Sequence, residues 1–329
     1  DTSYCTLQRH LAMRTSSFLI VYFSTLSLLI FGRAADAHQS GNHHRWQEQI
    51  ESGTPNTLPL GTNKYSSVPQ RGYVWSCQQT YPSTGVGFTK VGPWIDEASG
   101  VYYPNDKPQV EGTVFWPNSK IDIRINKKDG QRLIMGNQLP RHPTGEYPIQ
   151  SGTDAYEYDP NPNSIKEQNV QLVLPLSPPL APQPSCLPPG MIGFTLTGAA
   201  IFNALDETGH DAPAYEVQDL CNGHPEQQGG YHYHSLSPCM AKLARRNGGL
   251  IGFMLDGIPI YGPNEMGRTL RNEDLDECHG HIRSVKLDGK MVDNVYHYHT
   301  THEFPYTIGC FKGKPVQLPP SPNGPPPPL

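Results

Sequence analysis

An internal duplication constrains this chain more than any other feature. The run Ile192, Gly193, Phe194, x, Leu196, x, Gly198 recurs as Ile251, Gly252, Phe253, x, Leu255, x, Gly257, and each copy continues to Ile201, Phe202 or Ile260, Tyr261. Cys221, Asn222, Gly223, His224 recurs as Cys278, His279, Gly280, His281, and Tyr231, His232, Tyr233, His234 as Tyr296, His297, Tyr298, His299. A cysteine closes each copy at Cys239 and Cys310. Four blocks in one order, about 60 residues apart, mark two related units, at about 190–240 and 250–311, expected to sit side by side.

The duplicated units sit in a chain hostile to long regular elements. It holds 32 Gly and 34 Pro among 329 residues, and both are excluded from helix and central-strand interiors. Apolar residues make 36% and charged residues 17%, both below the usual share. Helical bundles, coiled coils and doubly wound α/β enzymes are thereby disfavoured. The expected fold is mainly β, an irregular antiparallel β sandwich or barrel-like domain, duplicated, loop-rich and disulfide-stapled. Ile121, Ile123 and Ile125 alternate with Asp122, Arg124 and Asn126 as a half-buried strand, and Val170 to Leu174 reads as a second. The best helical stretch, Pro238 to Asn247, is short and ends at a Gly-Gly pair.

Several features point to export. Residues 1–12 read as translated leader, and residues 13–37 as a signal peptide, with an apolar run from Phe18 to Phe31 and an A-x-A site at Ala35 to Ala37. The mature chain is then expected to start at His38, secreted and extracellular, with no membrane attachment after cleavage. Residues 38–114 read as a polar N-terminal arm or cap, 115–314 as the duplicated domain, and 315–329 as a proline-rich tail, an extended spacer or attachment strip. A net charge of −5 provides no basic field for nucleic acid or an anionic membrane.

Cleavage leaves six cysteines, which read as three disulfides in an oxidising compartment. Equivalent units should fold equivalently, so Cys221 is expected to join Cys239 and Cys278 to join Cys310. Cys77 and Cys186 then remain to tie the N-terminal region to the start of the repeat.

Strand alternation places His232 and His234 on one face and Tyr231 and Tyr233 on the other, and does the same for His297, His299, Tyr296 and Tyr298. If the two Tyr-His-Tyr-His strands pair, four imidazoles share one pocket. His224, His281, His142 and His302 supply further nitrogen donors. Neutral imidazole suits Cu or Zn rather than Ca²⁺; the competing reading is a metal-free polar cluster. The α-amino group and imidazole of His38 form a second, minor candidate copper clamp. Asp206, Glu207, His210 and Asp211 read as a solvated turn, and Asp274, Asp276 and Glu277 as a solvated acidic loop. Trp75, Trp94 and Trp116 read as core aromatics, or else as carbohydrate-stacking platforms. No G-x-S-x-G, H-E-x-x-H, phosphate loop or C-x-x-C occurs, and no catalytic residue is assigned.

These blocks, with LPRHPTGEYPI (139–149), DPNPNSI (159–165) and DLDECHGH (274–281), resemble the YHYH domain family from about Phe115 to Lys314. That family is largely exported and has no assigned general reaction. Some YHYH-like proteins resemble components of calcified matrices such as mollusc shell. The resemblance therefore implies a secreted, non-enzymatic extracellular matrix component, meeting matrix or mineral-associated polymers and carrying a histidine-rich metal site. The alternative is a secreted copper- or zinc-dependent enzyme using the duplicated histidines, with a metal-scavenging or carbohydrate-binding module as a third reading.

Overall fold

The computed structural model describes residues 55–83 and 87–318. The expected leader, signal peptide, His38 clamp and the tail from residue 319 onward lie outside the described residues. Among the described residues strand dominates over helix, as the composition implies, in several sheets that form no closed barrel.

The N-terminal region contributes five two-residue strands, β1 (Leu58–Pro59), β2 (Tyr65–Ser66), β3 (Val74–Trp75), β4 (Ile95–Asp96) and β5 (Val101–Tyr102). Leu58, Leu60, Trp94 and Tyr102 bury against Ala214 and Tyr215 from the first repeat. This region is thus packed onto the domain. Next, β6 (Ile121–Asn126), β7 (Gln131–Gly136) and β8 (Val170–Pro175) form an antiparallel sheet, with helix α1 (Asp154–Tyr158) between the last two. In β8, Val170, Leu172 and Leu174 are buried while Gln171 and Val173 are exposed, the alternation its sequence shows. The proline-bearing β9 (Leu180–Ser185) pairs only with the late strand Phe311–Gly313, an edge position that tolerates missing donors.

The first repeat supplies β10 (Met191–Thr195), β11 (Ala200–Phe202), helix α2 (Ala212–Tyr215), β12 (Gly223–Pro225) and β13 (Tyr231–Tyr233). A 3-10 turn, Pro238–Met240, and helix α3 (Ala241–Arg246) link it to the second, and the helix stops at Asn247 before Gly248 at φ 69°. The second repeat supplies β14 (Leu250–Met254), β15 (Pro259–Tyr261), the hairpin β16 (Asn264–Glu265) and β17 (Arg268–Thr269), then β18 (Gly280–Leu287) and β19 (Lys290–His299); β20 is Phe311–Gly313. Eight of these strands form one sheet in the order β12-β13-β11-β10-β14-β15-β19-β18.

That order is a palindrome. Each copy runs outward from the centre through an antiparallel, a parallel and an antiparallel pairing, and the copies meet where β10 pairs antiparallel with β14. A local twofold axis therefore passes through the sheet. The central contact is close: a Cβ at Gly252 would lie 2.4 Å from the Phe194 carbonyl oxygen. The turns between the first two strands of each repeat place Gly198 at φ 94° and Gly257 at φ 83°, where L side chains are strained. Ile134, Leu172 and Leu174 of the three-stranded sheet join Phe194, Phe253, Tyr231, Tyr233 and Tyr298 in one core.

Three disulfides join Cys77 to Cys186, Cys221 to Cys239 and Cys278 to Cys310, the pairing that the repeat suggests. One expectation is corrected. The repeats are side by side, but β13 and β19 are five strand steps apart, about 24 Å at the usual interstrand spacing. Four imidazoles in one pocket are thereby excluded.

Candidate metal centres

Each copy builds its own histidine cluster. His224 on β12 lies directly across from His232 on β13, and His281 on β18 lies across from His297 on β19. The second histidine of each Tyr-His-Tyr-His block follows two residues later on the same face. Two groups result: His224, His232 and His234 with Glu216, and His281, His297 and His299 with Glu265.

The tyrosines take the opposite face and anchor each strand through matched bonds. Tyr231 donates to Asp219 at 2.9 Å, and Tyr296 donates to Asp276 at 2.9 Å. Asp219 also accepts the Cys221 and Gly223 amides, and Asp276 those of Cys278 and Gly280. One carboxylate thus fixes both the turn that presents the first histidine and the strand that presents the other two. Asn222 and His279, at equivalent places in these turns, have φ 58° and 76°.

The ring nitrogens carry the chemistry. His232 Nδ1 donates to Gly230 O at 3.0 Å and His297 Nδ1 to Val295 O at 2.9 Å. His234 Nδ1 donates to Asn203 O, and His299 Nδ1 to Gly262 O at 2.7 Å, again from equivalent positions. With the proton on Nδ1, each Nε2 presents a bare lone pair inward. His232 Nε2 and His234 Nε2 stand 3.1 Å apart with no proton to share. Among the described residues, Nε2 of His281, His297 and His299 in the second cluster has no hydrogen-bond partner although buried, and in the first neither His224 nitrogen nor Glu216 Oε2 has one. Each unmade bond of this kind costs about 1–3 kcal/mol in a metal-free core.

A cation resolves this arrangement. Glu216 Oε2 is 3.5 Å from His224 Nε2 and 3.6 Å from His234 Nε2; Glu265 oxygens are 3.4, 3.6 and 3.9 Å from Nε2 of His281, His297 and His299. Ligands about 2.05 Å from a tetrahedral ion are separated by about 3.3 Å, so the donors already stand near their bound spacing. Backbone carbonyls holding Nδ1–H are the outer partners that orient metal-bound imidazole. Burial keeps the rings neutral and ready to bind: it pushes His234 down to about 4 and His299 to about 3, and holds His224 and His232 well below the usual range. Burial also raises Glu216 well above the usual carboxylate range. These groups could hold a metal ion; their N₃O donor set suits Zn²⁺ or Cu²⁺.

Sequence reasoning missed both carboxylates, since they occupy non-equivalent positions in the two copies. Glu216 follows helix α2, whose flank is fixed by Lys107: its amine donates to Pro213 O at 2.5 Å, Glu216 O at 2.8 Å and Gln218 Oε1. Glu265 ends β16 and also meets Arg283 Nε at 3.4 Å. A carboxylate following the second strand of each repeat was the available signal.

Two expected donors lie elsewhere. His142 is on the tyrosine face, its Nδ1 donating to Pro143 O at 2.8 Å and its Nε2 accepting from the Tyr233 hydroxyl. The neighbouring Cys221 and Cys239 sulfurs are bonded to each other and offer no thiolate. His302 lines a separate cavity of about 580 Å³ beside Tyr102 and Met240. Of the acidic groups read as solvated, Asp211 is fully buried and Asp206 is buried and accepts from the Thr208 and His210 amides, while Glu207 is exposed. Of the tryptophans, Trp94 is buried and donates to Ala214 O at 2.9 Å, while Trp75 and Trp116 are half-buried.

Residues 171–269 match the family model described as YHYH protein. The match holds the first cluster entire and, of the second, Glu265 alone. No curated protein and no solved structure matches the chain.

Proposed function

Starting from a chain that carries a YHYH domain, we propose that it is a secreted, non-enzymatic protein of an extracellular matrix that holds two divalent transition-metal ions, zinc or copper, one in each copy. The observation that carries the metal reading is the set of Nε2 lone pairs converging in each cluster without hydrogen-bond partners. Three disulfides support the extracellular setting, since such bonds persist in oxidising compartments. The proline-rich tail suits attachment to matrix or mineral-associated polymers.

Elemental analysis of the purified secreted chain, dialysed against zinc or copper, tests the metal reading. Two ions per chain are expected, and none retained would overturn it. Release of the chain from extracted matrix by chelation or denaturant, with none in the soluble fraction, tests the matrix role. A metalloenzyme is the second reading, favoured by a cavity of about 330 Å³ lined by the first cluster, which an open coordination position could serve. Hydrolytic or oxidative turnover lost in His232→Ala but kept in His297→Ala would establish that reading instead.

A further inference from the structure

The two clusters use equivalent histidines but differ in what surrounds them. At the second, Tyr261 is buried, with its ring against His297 and its hydroxyl donating to Lys286 O at 3.0 Å. The equivalent residue at the first is Phe202, which is half-buried, stacks on His232 with ring centroids 3.9 Å apart, and lines the 330 Å³ cavity. His224, His232, His234 and Glu216 line the same cavity.

We propose that the first site takes up a neutral, hydroxyl-rich ligand of sugar size, one of whose hydroxyl oxygens adds a fifth ligand to the ion held by His224, His232, His234 and Glu216. The inference rests on the metal reading above. The volume is on the order of ten waters, room for one or two sugar rings. The wall excludes anions: it carries Asp206 and Glu226, and none of the described residues lining it is Lys or Arg. The bound dication in turn repels ammonium groups at the coordination position. Neutral hydroxyls satisfy both constraints, binding the ion through oxygen and donating to carboxylates.

The acceptors are held in place beforehand. Glu226 is fixed by the Gln228 and Gly230 amides at 2.7 and 2.8 Å, and Asp206 by the Thr208 and His210 amides, both at 2.8 Å. Each carboxylate keeps spare lone pairs for a donor. Phe202 and Tyr81 add aromatic surface for the apolar face of a sugar ring.

The test is a titration of the cobalt-loaded full chain with glucose, galactose, mannose and N-acetylglucosamine in turn, read in the visible bands of the bound Co²⁺, with azide as the anionic probe. A saturable change is expected with at least one sugar. It should be retained in His281→Ala/His297→Ala, lost in His224→Ala/His232→Ala, and weakened at least tenfold in Phe202→Leu. Glu226→Gln should weaken it at least threefold even if the Phe202 variant fails to fold, with unchanged cobalt bands from the second site showing that the Glu226 variant is folded. A response to azide and to no sugar overturns the ligand class. No response to either, with two cobalt ions bound, overturns an accessible first site. A chain that binds no cobalt defeats the metal reading itself and this inference with it.

Discussion

Phe194 lies directly opposite Phe253, its own counterpart in the other copy, on neighbouring antiparallel strands. A residue facing its own duplicate marks the twofold axis, and everything else follows by distance from it. The Tyr-His-Tyr-His strands occupy the third place out on either side, so the duplication yields two sites and not one.

Closeness at the axis makes Gly252 intolerant of a side chain. Gly252→Ala is expected to force β10 and β14 apart and destabilise the chain by about 3 kcal/mol or more. Gly267→Ala serves as the comparison: a Cβ there meets nothing within 4 Å, though its φ of 78° carries some backbone strain. Denaturant unfolding of both variants measures the difference.

Much of this was legible in the sequence. The order of matched blocks gave the duplication, the alternating strands gave a histidine face and a tyrosine face, and the composition gave a strand-based, stapled fold. What block matching lacks is the location of the axis. Two units can meet along any edge, and the edge chosen, Phe194 against Phe253, separates His232 from His297. Glu216 and Glu265 stayed hidden for a related reason: α2 precedes one and a hairpin turn follows the other, so they align with nothing.

Lys107 is expected to act on the first site alone. Its three protons all go to the segment carrying Glu216, and burial lowers its affinity for protons to about 8. Lys107→Met should cost about 1–3 kcal/mol of stability and weaken metal binding at the first site, leaving the second unchanged. Zinc titrations in backgrounds lacking one site or the other measure the two effects separately.

Disulfide removal should follow loop length. The Cys77–Cys186 closure spans 109 residues against 32 and 18 for the other two. In the chain-entropy picture these closures contribute about 4.8, 3.7 and 3.2 kcal/mol. Paired Cys→Ala variants, compared by denaturant midpoint, should rank in that order.

Asp211 sets a pH dependence. It accepts from the Gly61 amide and the Tyr306 hydroxyl, yet complete burial pushes it up to about 7 from 3.8. The folded chain therefore holds a proton that the unfolded chain has released. Its contribution is full below about pH 4, declines as pH rises toward 7 and is level above that, a change on the order of 4 kcal/mol. The stability of the metal-free protein minus that of Asp211→Asn should trace this decline, since other groups cancel. A flat difference would remove Asp211 as its source.

The most direct test of two axis-related sites is the distance between two Cu²⁺ ions in the loaded chain, measured by pulsed electron paramagnetic resonance. The expected result is one distribution centred at about 24 Å, lost when either His232 or His297 is changed to Ala. A separation under about 10 Å, or a single copper abolished by either substitution, would mean one shared pocket and would contradict the account.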